Sequence, residues 1–428
     1  MSEKKFGSGD TSWFVKDRFG MFIHWGLYSQ PARHEWVKNR EMIHDTDYQK
    51  YFEHFDPDMY DPKVWAKAAA EAGMKYFVIT TKHHEGFCLW DSKYTDYKAT
   101  NTKAGRDLLR EMVDAFRAEG IRVGFYYSLI DWHHPHFTID RVHPDRERED
   151  REELNKGRDI KVYAQYMRDQ VRELLTEYGQ IDILWFDFSY PGEDGKDHND
   201  WESEKMLKMI RELQPNIIIN NRLNIPGAED IVTPEQFIPS SQPVDADGKP
   251  QVWEGCHTFS GSWGYHRDES SWKSVDMLVR MLVEHVSMNG NLLMNVGPTA
   301  RGFFDDRALK ALKGYADWMK LHSRSIYNCQ AAPKGMVPPK DCRYTYNPET
   351  NCLYVHIFAW PFKAIHLPGL EGKVAYAQLL NDASELLPAP NRGIHTNLAA
   401  GSEAGTLSLV LPVIKPDVTV PVIELFLK

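Results

Sequence analysis

Ile181-Asp182-Ile183-Leu184-Trp185-Phe186-Asp187-Phe188 is the stretch on which the reading of this chain turns. Apolar residues fill nearly every position, the pattern of a strand buried on both faces. A carboxylate at the end of such a strand is costly unless it is paired or used. In a parallel α/β barrel the chemistry sits at the C-terminal ends of the strands. Asp187 is therefore a candidate catalytic carboxylate, the competing reading being a cap on the following turn or helix.

Outward from that strand, units of strand and helix alternate from about residue 18 to residue 325. Strands are expected at 19–24, 76–81, 121–127, 181–188, 217–220 and 291–296. Helices are expected at 62–72, 108–119, 162–178, 202–213, 272–286 and 307–322. Asp61 followed by Pro62 is a helix-start signal, and Gly73, Gly120 and Gly179 are stops. Such alternation predicts a parallel sheet, and a span of roughly 300 residues fits a closed barrel. Eight clean units are not distinguishable, so the fold class is α/β, an irregular (β/α)8-like, TIM-type barrel over residues 1–334. After it, strand-like runs at 343–346, 352–360, 407–411 and 419–427 show no helical period. They predict a small all-β sandwich over residues 335–428, with a structural role first and sugar binding second. Residues 237–251, rich in Pro, Ser, Asp and Gly, read as a long loop on the active face of the barrel. The mixed-charge run 145–153 reads as a solvated face with no catalytic role.

Composition narrows the partners. A net charge of -10 argues against nucleic acid or an anionic membrane, and no apolar run is long enough to span a bilayer. The start of the chain, MSEKKFGSGD, has no apolar signal region. The five cysteines are scattered, without a CxxC pair. A reduced, cytoplasmic protein is the simplest expectation, although a trimmed secreted chain would read the same way. The 13 Trp, 20 Tyr and 20 Phe suit either a large core or sugar-ring stacking.

The strand ends agree with one another. His24 ends the first, His83 and His84 follow the second, and Tyr126, Tyr127, Asp131 and Trp132 end the third. Trp185 and Asp187 end the fourth, and Asn220, Asn221 and Arg222 end the fifth. This set is rich in uncharged donors, acceptors and aromatics. It has no glycine-rich phosphate cradle and no GxSxG elbow, so it suits a polyhydroxylated sugar. Neighbouring residues on a strand face opposite ways, so His83 and His84 can share a site only if the chain turns there. His133, His134 and His136 suggest a metal, but no compact carboxylate set accompanies them. No metal and no cofactor is assigned. Glycoside hydrolysis needs two carboxylates; with Asp187 as the first, Glu235, Glu254 and Glu35 are candidates for the second, and spacing does not choose among them.

These motifs together resemble the α-L-fucosidases of glycoside hydrolase family 29. The resemblance is carried by Phe19-Gly20-Met21-Phe22-Ile23-His24-Trp25-Gly26, Lys82-His83-His84-Glu85-Gly86-Phe87, Tyr126-Tyr127-Ser128 with Asp131-Trp132, and Leu184-Trp185-Phe186-Asp187. Trp253-Glu254, Ser262-Trp263-Gly264-Tyr265 and the run from Asn289 to Pro298 complete it, over about residues 12–328. It implies a retaining enzyme that removes terminal α-L-fucose from a fucosylated oligosaccharide or glycoconjugate through a covalent fucosyl-enzyme. It implies Asp187 as nucleophile, and Glu235, in its Thr-Pro-Glu element, as acid/base, with Glu254 and then Glu35 behind it. It implies sugar-binding roles for His24, Glu35, Trp36, His83, His84, Tyr127, Trp185 and Arg222, and Trp263 against the sugar methyl. The chain departs from the family pattern at Asn221, where Asn-Asp-Arg is usual. The aromatic-rich loops leave room for a neighbouring subunit, as in a homo-oligomer.

Overall fold

The computed structural model describes residues 7–389 and 402–428. Seven parallel strands form one curled sheet in the order β5-β4-β3-β2-β1-β7-β6. They are β1 Phe19–Ile23, β2 Tyr76–Lys82, β3 Arg122–Ser128, β4 Ile183–Asp187, β5 Ile218–Ile219, β6 Trp253–Thr258 and β7 Gly290–Val296. The gap between β5 and β6 is closed by residues 231–235. Ile231 pairs with Asn220, Val232 with Trp253 and Glu235 with Cys256, all in parallel. Val232 N–H donates to Val252 O at 3.1 Å and Cys256 N–H to Pro234 O at 3.0 Å. This short bridged segment serves as the eighth stave, and Glu235 is its last paired residue.

Helices α1 Pro62–Glu71, α2 Leu108–Ala118, α3 Ile160–Glu177 and α4 Ser203–Leu213 each follow one of the strands β1 to β4. Helices α5 Val275–Ser287 and α6 Asp306–His322 follow β6 and β7. Short acceptors start most of them: Asp61, Asp107, Asp159, Ser274 and Asp305 each accept a backbone N–H of the first turn. A cap is worth about 1 kcal/mol, against about 1.5–3 kcal/mol for one fully buried large apolar side chain. Caps thus fix where the helices begin, and packing holds them. No helix among the described residues is long and apolar enough to cross a membrane.

Among the described residues no α-helix lies between β5 and β6, only the 3-10 turn Asn221–Leu223. Residues 237–252 take that place, and the structure corrects their expected position. They leave the active face after Gln236 and descend to the opposite end, where Gln242 accepts from Asn289 Nδ2 at 2.8 Å, just before β7.

Alternation along the strands sorts the side chains. Phe22, Val78, Tyr126, Ile183, Trp185, Ile231, Cys256 and Leu293 share the barrel interior. Phe125, Tyr127 and Phe186 join the outer core, which packs the sheet on its helices. Beyond the barrel, β9 Cys352–Ile357 lies between β8 Cys342–Asn347 and β13 Val422–Leu427, with β11 Val374–Leu379 outside β13. A second sheet pairs β10 Ala364–Leu367 with β12 Leu407–Val410. Leu353, Val355, Leu367, Leu409 and Ile423 fill the layer between the sheets. On the other face Tyr354, Val420 and Val422 belong to the barrel's outer core, and Trp318 Nε1–H donates to Val420 O at 3.0 Å. The five cysteines are free and buried.

Candidate active site

A cavity opens at the C-terminal ends of the strands. It is lined by Phe22, His24, Glu35, Trp36, His83, His84, Tyr126, Trp185, Asp187, Phe188, Glu235, Cys256 and Trp263. Two carboxylates and one guanidinium form its charged centre. Arg222 donates from Nη1 to Asp187 Oδ1 at 3.0 Å and from Nη2 to Glu235 Oε2 at 2.9 Å. The same guanidinium lies over the Trp185 ring, 5.0 Å from its centroid, and Nε–H donates to Thr233 Oγ1 at 3.2 Å. Asn221 Oδ1 accepts from both Thr233 N and Thr233 Oγ1. A neutral amide thus steadies the segment that carries Glu235.

The two carboxylates differ in depth. The Asp187 side chain is 14% exposed and that of Glu235 is 42% exposed. Tyr126 OH donates to Asp187 Oδ2 at 2.8 Å, and His84 Nε2 stands 3.8 Å from the same oxygen. Burial pushes the Asp187 carboxyl up to about 6; the Arg222 charge opposes this and the Glu235 charge adds to it.

The histidines are neutral acceptors. Burial holds His24 down to about 3, and His83 and His84 well below the usual range. Asn295 gives its amide N–H to Trp263 O, so its Oδ1 accepts from His24 Nδ1–H at 2.6 Å. Ser128 directs its hydroxyl to Ile130 O, so it accepts from His84 Nδ1–H at 2.6 Å. These networks assign bare Nε2 atoms to both rings. His83 Nδ1 is buried and has no hydrogen-bond partner among the described residues. β2 ends at Lys82 and the chain turns, with Gly86 N–H donating to His83 O at 3.0 Å, which brings both rings to the one cavity. Glu35 comes from the loop after β1, and its Oε2 accepts from Gly264 N–H at 2.8 Å. Burial raises its carboxyl. Trp36 stands edge-on to His84, ring centroids 4.9 Å apart.

Two assigned residues lie elsewhere. Tyr127 faces outward from β3 and donates to Gln170 Oε1 on α3 at 2.8 Å. Its neighbour Tyr126 has the inward parity and lines the cavity. Glu254 is not in a loop: it sits on β6, fully buried beneath Trp185, where it accepts from Tyr76 OH at 2.6 Å and from Trp185 Nε1–H at 3.2 Å. It does not line the cavity, and that removes it as a proton donor to substrate. Residues 131–136 do not gather a metal set either. Asp131 pairs with Lys82 at 3.0 Å, His133 stacks on Tyr97 and His134 packs on Tyr166. Among the described residues no three His, Cys, Asp or Glu side chains group to hold a metal. Phe22, Phe188 and Cys256 line the cavity although the strand-end reading passes over them. Apolar residues on an apolar strand carry no separate signal of a site.

Comparison with known proteins places this arrangement. A family model described as Alpha-L-fucosidase matches residues 4–324. Plasma alpha-L-fucosidase of Homo sapiens is 31% identical over 377 residues, covering 82% of this chain and 76% of that protein. The structure of alpha-L-fucosidase isoenzyme 1 from Paenibacillus thiaminolyticus is 48% identical, covers 98% of both chains and superposes with a TM-score of 0.90. A Bacteroides thetaiotaomicron GH29 alpha-L-fucosidase, solved as a trapped covalent intermediate with 2-fluoro-fucosyl fluoride, is 28% identical over 99% of both chains, with a TM-score of 0.83.

Proposed function

The chain belongs to the alpha-L-fucosidase family, glycoside hydrolase family 29, and from that premise we propose that it removes terminal α-L-fucose by double displacement, with Asp187 as nucleophile and Glu235 as acid/base. One observation carries the pairing: a single guanidinium bonds both carboxylates, the deep Asp187 and the half-exposed Glu235. A retaining pair lies about 5–5.5 Å apart, and a shared partner favours such proximity. The difference in depth suits the roles, since the nucleophile must lie beneath the sugar and the proton donor beside the departing oxygen at the mouth.

In the first step an Asp187 carboxylate oxygen bonds to the anomeric carbon as the glycosidic bond breaks, and Glu235 gives its proton to the leaving oxygen. In the second, Glu235 takes a proton from water, the water oxygen bonds to the anomeric carbon, and the bond to Asp187 breaks. Arg222 bonds both carboxylates and so counters the charge that returns to each. The bare nitrogens of His24 and His84, the unpartnered His83 Nδ1 and the buried Glu35 suit sugar hydroxyls. Phe22, Cys256 and Trp263 offer an apolar wall to the 6-deoxy carbon.

The test is hydrolysis of an aryl α-L-fucoside by the wild type and by Asp187→Gly. The variant is expected to lose on the order of 10³-fold or more in kcat, and azide is expected to restore turnover with a fucosyl azide product. Full activity in Asp187→Gly would remove the nucleophile assignment. Equal wild-type turnover of the α-L-galactoside would remove the specificity.

A further inference from the structure

Asp187 and Glu235 are each followed directly by a bulky residue in the left-handed region: Phe188 has φ 75° and Gln236 has φ 60°. Such backbones are unfavourable for residues other than glycine and persist only where their surroundings hold them. Both are held. Asp187 O accepts from Leu129 N–H at 3.0 Å, while the Asn220 amide brackets Phe186, accepting from its N–H at 3.0 Å and donating to its O at 2.8 Å. The Phe188 ring packs against Trp36 and His84, with centroids 5.1 and 5.4 Å away. On the other side of the cavity Gln236 donates its N–H to Cys256 O at 3.0 Å and its Nε2–H to Thr258 Oγ1 at 2.9 Å.

The effect follows from strand parity. In a continuing strand, residues i and i+2 share a face. Ser189 would then stand above Asp187, and Phe237 above Glu235, over the place where the anomeric carbon and the leaving oxygen must lie. The left-handed residue diverts both. Ser189 turns away to donate to Arg222 O at 2.8 Å and to accept from Trp201 Nε1–H at 3.0 Å, and Phe237 emerges 60% exposed.

We propose that Phe188 and Gln236 are positioning residues whose left-handed backbones end the two strands immediately past the nucleophile and the proton donor and keep sugar-sized space open above each carboxylate. This rests on the roles given above to Asp187 and Glu235.

Asn and Val separate backbone from side chain. They are similar in size and both remove the native contacts, but Asn tolerates the left-handed region and β-branched Val does not. The readout is kcat/KM on phenyl α-L-fucoside and on α-L-fucosyl fluoride, whose departing fluoride needs no proton. Phe188→Val is expected to lose about 10²-fold on both substrates, as a displaced nucleophile would. Gln236→Val is expected to lose about as much on the phenyl fucoside while staying within about threefold on the fluoride, since only the proton donor has moved. Gln236→Asn is expected to stay within about threefold on both substrates, and Phe188→Asn, which also gives up the cavity-lining ring, to retain about tenfold more activity than Phe188→Val. If a Val variant does not melt cooperatively, Ala, which bears a single methyl, replaces it under the same expectations. Val and Asn giving equal rates at either position, or Gln236→Val losing equally on both substrates, would overturn the proposal. A wild type inert on both would instead sink the assignment of the carboxylates and this inference with it. Active wild type with inactive Asp187→Gly leaves that assignment standing whatever the Val variants do.

Discussion

At the scale of single residues, the carboxyl of Asp187 governs how the site responds to acid. Burial raises it to about 6. As pH falls through that value the nucleophile takes up a proton and can no longer attack. The kcat/KM profile should therefore drop on its acid side with an apparent midpoint near 6, and Arg222→Lys, which gives up the forked bond to two carboxylates, should move that midpoint. An acid limb at the ordinary Asp value near 4 would contradict the role. The sequence shows Asp187, His24, His83, His84 and Trp185 because each ends or follows an apolar run whose polarity changes abruptly. It leaves Tyr126 and Tyr127 indistinguishable, since two adjacent tyrosines carry no sign of which faces inward. The pairing of Tyr126 with Trp185 across β3 and β4 settles that parity only once the register is known.

At the scale of elements, the hardest to read are the segment that carries Glu235 and the strand β6 beside it. β6 reads Trp-Glu-Gly-Cys-His-Thr, and Gly255 makes room for His285, whose Nε2 would lie 2.1 Å from an added Cβ. No apolar period survives there, and residues 231–235 include a proline. Both therefore look like loop, although a buried hydrogen-bonded layer holds them. Glu254 belongs to that layer. Burial raises it to about 7, while Tyr76 and Trp185 oppose the shift. Because its folded value lies above the unfolded one, its contribution to stability is complete below about pH 4 and is lost as pH rises through 7. Glu254→Gln, a neutral near-isostere, should flatten the stability curve. Relative to wild type it should gain on the order of 1–3 kcal/mol between pH 5 and pH 8, measured by urea unfolding. A difference that does not change with pH would show that Glu254 does not ionise on that range.

At the scale of the whole molecule, alternation of strand and helix is visible in the sequence because each β/α unit buries its own apolar stripe, and the change to strands alone near residue 335 is equally plain. The short strands β10 and β11 are not legible, as four to six residues with exposed positions give little period. What the sequence does not show is how tightly the two parts adhere. Tyr354, Val420 and Val422 complete the barrel's outer core, and Arg324 pairs with Glu424 at 2.8 Å. A chain ending at residue 334 would expose that apolar face, so it should aggregate on expression, while co-expression with residues 335–428 should recover soluble material. A soluble, cooperatively melting 1–334 fragment would refute this.

The stave at 231–235 has a consequence for ageing of the molecule. It is held by single bridge pairs and, unlike β1 to β4, β6 and β7, is not followed by an α-helix. Amides there should exchange with solvent through small openings long before the strand of Asp187 does. Warming should therefore loosen the proton donor before the nucleophile, so that sugar binding outlasts hydrolysis as temperature rises.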